Sequence, residues 1–127
     1  MIHRPSAFAL GRFDLIFVKE DVKVEDNFFA VWGKESPETF KGFNEFVGML
    51  MKNSGLDEKT FQLIYMAIQA SRGAVGSVAA HAGFAKKAGA TRDEVKGAIL
   101  LTLMTVGING VADALTVALN SYDNTEV

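Results

Sequence analysis

The sequence predicts an all-α domain, a compact bundle of five to six helices assembled into an oligomer, and three observations carry that prediction. From Ser36 onward apolar residues recur at three- and four-residue steps, the spacing of one helical face. No segment has the period-two alternation between hairpin turns that marks a strand. The central helices are apolar nearly all round, which a monomer of this size does not bury by itself. With 127 residues the chain suits a single domain over 1–127, read as an arm at 1–35 and a helical core at 36–121.

In the arm, apolar Phe8, Phe13 and Leu15 to Val18 precede a charged stretch, KEDVKVED. Phe28, Phe29, Val31 and Trp32 then cluster before Gly33, so short helices are expected near 6–18 and 25–32. Ser36-Pro37-Glu38 opens the first long helix: serine at the N-cap accepts a bond from a free amide, proline suits the first turn, and glutamate favours the positive end of the dipole. Phe40, Phe43, Phe46, Val47 and Leu50 form its apolar face, and Asn53-Ser54-Gly55 ends it.

Asp57 caps a helix expected over 58–71 that should be buried on most sides, interrupted only by Gln62 and Gln69, which share a face. A helix over 74–88 follows the break at Ser71-Arg72-Gly73, and its many alanines and glycines predict close contact with its neighbours. Gly89 closes it. Thr91-Arg92-Asp93-Glu94 matches a capping box and opens a helix with Val95, Ala98, Ile99 and Leu103 inward. Gly107-Ile108-Asn109-Gly110 then turns the chain into a last helix at 111–121, with Asn109 as cap, Asp113 in the first turn, and NTEV as a frayed tail.

A net charge of −2 with scattered cations gives no reason to expect nucleic acid or an anionic membrane as partner. The absence of cysteine excludes disulfides, thiolate metal sites and thiol redox chemistry, and two histidines do not make a His-rich zinc site, so neither metal nor cofactor is expected. The N-terminus does not read as a signal peptide, which makes a cytoplasmic location the expectation. Residues 97 to 112 carry no charge, but they fall short of the roughly 20 apolar residues that span a bilayer. Burial between subunits is the better account.

Ala74, Ser77 and His81 lie at i, i+3 and i+7, on one stripe of their helix, and Gln62 and Gln69 from an antiparallel neighbour could face it. His81 is either a proton-transfer residue or a hydrogen-bonded core histidine. Arg72 is either a carboxylate clamp or part of an interface salt bridge. Ser77 and His81 also have nucleophile-and-base spacing, without an identifiable orienting acid.

The run LDEKTFQLIYMAI, the spaced His81 and AKKAGATRDEVKGAILLTLMTVGI resemble the core of the carboxymuconolactone decarboxylase family, which includes the alkylhydroperoxidase D-like proteins. The resemblance covers about residues 40 to 120. In the family's redox branch a glutamate relays a proton to a Cys-x-x-Cys pair followed by a histidine; here those positions hold Gln62, Ala74, Ser77 and His81. Only the histidine remains, so peroxide reduction by that route is not available. The decarboxylase branch lacks the cysteines and implies a non-redox reaction on a small carboxylated or lactone compound. His81 would be the proton donor, and Gln62, Arg72 and Ser77 would be the substrate-binding residues. Decarboxylases of this kind tend to carry a further histidine on the last helix, where this chain has Val111-Ala112-Asp113-Ala114-Leu115. The alternative is a catalytically silent scaffold or ligand-binding member. The resemblance also implies a homo-oligomer, commonly a trimer or a hexamer built as a trimer of dimers.

Overall fold

Local capping and helical periodicity set most of the elements in the computed structural model, which describes residues 27–127. The described residues are helical, without a strand among them. The helix expected near 6–18 lies outside them. They divide between Gly55 and Leu56 into two compact units.

The first unit contains α1 (Phe28–Glu35) and α2 (Pro37–Asn53). Helix α1 lies three residues later than the expected 25–32, because the Asn27 side chain accepts from the amides of Phe29 and Ala30 and so sets the start. Ser36 occupies the N-cap of α2 but makes no capping bond with its side chain. Its hydroxyl instead meets Thr39 Oγ1 at 2.6 Å, and Thr39 also accepts from Trp32 Nε1 at 2.9 Å. Trp32 packs on Phe40 and Phe43 at ring separations of 5.5 and 5.0 Å. The expected apolar face is therefore only partly used: Phe40 is buried, while Phe46 and Leu50 are exposed.

The second unit is a helical bundle of α3 (Glu58–Ser71), α4 (Val75–Lys87), α5 (Arg92–Leu101), a single turn α6 (Leu103–Val106), a 3₁₀ turn (Gly107–Gly110) and α7 (Ala114–Asn124). Helix α4 packs chiefly against α3 and α7, as its small residues require. Met66, Val78, Ala82, Ala85, Val95, Ile99 and Ala118 form the centre of the core, all fully buried. Asp57 accepts from the Thr60 amide at 2.7 Å. The capping box at Thr91 is complete: Thr91 Oγ1 accepts from the Glu94 amide at 3.0 Å and Glu94 Oε1 from the Thr91 amide at 2.8 Å.

Helix α3 buries Gln62, Met66 and Ala70 along one stripe and leaves Ile64 and Ile68 exposed, the kind of apolar face expected to be covered by other copies of the chain. Leu103 is not inward. The Thr102 hydroxyl donates to Ile99 O at 2.7 Å and its amide donates to the same carbonyl at 3.0 Å, which ends α5 and turns Leu103 outward.

The last helix runs over Ala114–Asn124 rather than 111–121. The amides of Val111 and Ala112 both bond Ile108 O, which prolongs the turn, so Asn109 lies inside the 3₁₀ segment and Asp113 takes the cap position. At the other end Lys86 Nζ donates to the carbonyls of Tyr122 and Thr125 at 2.9 and 2.8 Å. Thr125 Oγ1 donates to Ser121 O at 2.6 Å, so the segment read as frayed is held as far as Thr125.

Candidate functional site

Helices α3 and α4 run antiparallel, and their register decides which polar side chains meet. Gln69, late in α3, donates from Nε2 to Ser77 Oγ, early in α4, at 2.9 Å. Two turns earlier in α3, Gln62 Oε1 lies 2.6 Å from His81 Nδ1. The reversal between the helices takes three residues. The amides of Arg72 and Ala74 both bond Gln69 O, and Gly73 adopts φ +75°, a left-handed conformation that favours glycine.

His81 is only 3 % exposed. The Tyr65 ring stacks on it at 4.0 Å with an interplanar angle of 21°, and Phe84 meets it edge-on at 5.2 Å. Burial disfavours the imidazolium and lowers the pKa from 6.5 to about 4, so the ring is neutral at pH 7. A carbonyl oxygen only accepts, so Gln62 Oε1 can pair with His81 Nδ1 only when that nitrogen bears a hydrogen. Gln62 is fully buried, and its amide Nε2 meets no hydrogen-bond partner among the described residues. An unmet buried donor costs about 1–3 kcal/mol.

Ser77 and Arg72 belong to a second group built on Gln69. While Gln69 Nε2 donates to Ser77, its Oε1 accepts from Arg72 Nη1 at 3.0 Å. Arg72 is exposed and meets no carboxylate among the described residues. Thus Gln62 and His81 meet directly, and Ser77 and Arg72 are linked through Gln69. Tyr65 and Phe84 are site neighbours of His81 that the sequence does not single out. Their signal was the i+3 spacing of Tyr65 from Gln62 and of Phe84 from His81, which places each on its partner's face. Among the described residues no group of three His, Cys, Asp or Glu could hold a metal ion.

Comparison with protein families matches carboxymuconolactone decarboxylases over residues 37–120, well over half of the chain. The chain belongs to the carboxymuconolactone decarboxylase family. Comparisons with curated proteins and with solved structures give no match. The region shared with the carboxymuconolactone decarboxylase family contains Gln62, Arg72, Ser77 and His81, together with Gln69, Tyr65 and Phe84. This carboxymuconolactone decarboxylase relative has no cysteine, so it cannot form the thiolates of the redox branch.

Proposed function

We propose that this chain is a non-redox enzyme that decarboxylates, or moves a proton on, a small carboxylated or lactone compound, with His81 as the proton donor. One observation carries the reading: a histidine and a glutamine are buried against each other, with one amide group unspent. A purely structural core would lose nothing, and could gain, from apolar residues of the same shape at both positions.

The chemistry follows from the burial. The free ring is neutral, and a substrate carboxylate nearby offsets its desolvation and allows it to take a proton from solvent. The imidazolium so formed is a strong acid because its surroundings disfavour it. As the bond to the carboxyl carbon breaks, CO2 leaves, the electron pair stays on the remaining carbon, and His81 delivers its proton there. The neutral ring is then restored. Gln62 Nε2 offers a buried donor to a substrate oxygen, and the Arg72–Gln69–Ser77 group offers a cation and a hydroxyl.

A histidine titration followed by NMR tests this reading. His81 should titrate near pH 4 in the free protein and move upward when a small dicarboxylate such as succinate is added. His81→Asn should abolish turnover of any carboxylated lactone the wild type accepts; undiminished turnover would remove His81 from the reaction. The close packing of Tyr65 and Phe84 on a ring 3 % exposed favours a second reading, a silent scaffold or ligand-binding member. A ring that ignores added carboxylates would establish it.

The proposal includes self-association, as a trimer or hexamer in the cytoplasm. Leu101, Leu103, Met104, Val106 and Ile108 are all exposed, Met104 to 83 % and Ile108 to 72 %. No described helix is long and apolar enough to cross a membrane. Exposed apolar side chains this close together in the chain favour burial against another copy. Light scattering should give several copies per particle; a monomer at micromolar concentration would overturn this part.

A further inference from the structure

We propose that Gln62 is the positioning residue of this site: it holds the proton of the neutral ring on His81 Nδ1, so that Nε2 is the nitrogen that takes up and delivers protons. The inference deepens the proton-transfer reading and takes its meaning from it. Its readout needs no substrate.

Three observations support it. The contact is buried and spans two helices, so water does not compete for Nδ1 and the packing of α3 on α4 fixes the separation. At 2.6 Å the contact is short even for N–H···O, and an amide turned to present its nitrogen would crowd the ring further. Tyr65 and Phe84 clamp the ring in face-on and edge-on contact, which resists the ring flip that would exchange Nδ1 and Nε2.

The residue type matters as much as the position. A glutamate here would also accept from Nδ1, but its charge would stabilise the imidazolium and make the ring a weaker acid. A glutamine orients the ring without that stabilisation. The oxygen of Gln62 is thus committed to the ring in the neutral and the protonated state alike, and the cycle runs through Nε2 alone: proton uptake gives the imidazolium, and delivery restores the Nδ1–H tautomer. The unmet Nε2 donor of Gln62 accords with this assignment. A side chain selected only for packing would not leave a buried donor unmet, whereas one selected to present its oxygen to the histidine tolerates that cost.

Ring nitrogen-15 spectra of histidine-labelled protein at pH 7 test the assignment, with His3→Gln used to identify the His81 signals. The wild type should show a protonated Nδ1 and an unprotonated Nε2. Gln62→Leu should lose that pattern, giving a mixture or the reverse tautomer. Gln62→Glu should keep it and move the titration midpoint up by about 1 to 3 pH units. A wild-type ring protonated at Nε2 would overturn the proposal, as would a Gln62→Leu ring that keeps the wild-type tautomer. If Gln62→Leu does not fold, the near-isosteric glutamate variant decides, and an unmoved midpoint counts against the assignment. A correct tautomer in a protein indifferent to carboxylates would refute the enzymatic reading and leave the proton assignment standing.

Discussion

Lowering the pH from 7 to 5 should cost the wild-type fold about 2 kcal/mol more than it costs His81→Asn. The figure follows from a ring that titrates near 6.5 in the unfolded chain and at about 4 in the folded one. Between those values the unfolded state binds the proton and the folded state does not, so protonation pulls toward unfolding. The stabilising contribution of the neutral buried ring is complete above about pH 6.5 and is lost as the pH falls toward 4. Urea unfolding at pH 7, 6 and 5, at one protein concentration, measures the difference in slope. The exposed carboxylates held low by their neighbours, such as Glu94 against the Thr91 amide and Lys59, and Asp123 against Arg92, are common to both proteins and cancel. Parallel pH dependence would mean that His81 is more hydrated than its packing indicates. It would also weaken the case for a strong acid in the proposed reaction.

Gly110→Ala should destabilise the fold by about 2–3 kcal/mol, a large effect for one methyl group. A Cβ at Gly110 would lie 2.5 Å from Thr102 Oγ1, 2.8 Å from Thr102 Cβ and 2.8 Å from Val106 Cγ2. Thr102 is itself buried, with its hydroxyl bound to Ile99 O, so it has little room to yield without giving up that bond. The turn would have to move away from α5, and the start of α7 with it. Gly42→Ala is the comparison: it lies on the exposed face of α2 with open space around it, and should gain roughly 0.5–1 kcal/mol. If the two alanine variants have equal stability, the contact between the 3₁₀ turn and Thr102 is looser than described.

Signals that act over three or four residues were legible directly. The cap at Asp57, which starts α3, and the Thr91–Glu94 box follow from side chains that satisfy amides of their own helix. Gln62 and Gln69 could be placed on one face, and His81 and Ser77 on another, for the same reason. The family was legible too, through LDEKT, the spaced histidine and AGATRDEV, and residues 37–120 match it. Where the structure departs from expectation, the cause is a local bond that competes with the periodic pattern, such as the Asn27 cap of α1 and the Thr102 bond to Ile99 O, or a distant one such as Lys86. Helix α7 is displaced because Ile108 O collects two amides at one end while Lys86 holds the carbonyls at the other, and neither contact leaves a periodic trace.

The sequence by itself determined that the chain is helical, that it belongs to this family, and that its histidine stands without cysteine. Each is a matter of residue identity and of spacing within about two turns. Only the tertiary structure decided that Gln62 meets His81 across 19 residues, that Tyr65 and Phe84 enclose the ring, and that burial lowers its pKa to about 4. A hydrogen bond between helices depends on their register, and a pKa depends on how much water the packed side chains exclude. Both are properties of the assembled bundle, which no local stretch of the chain specifies.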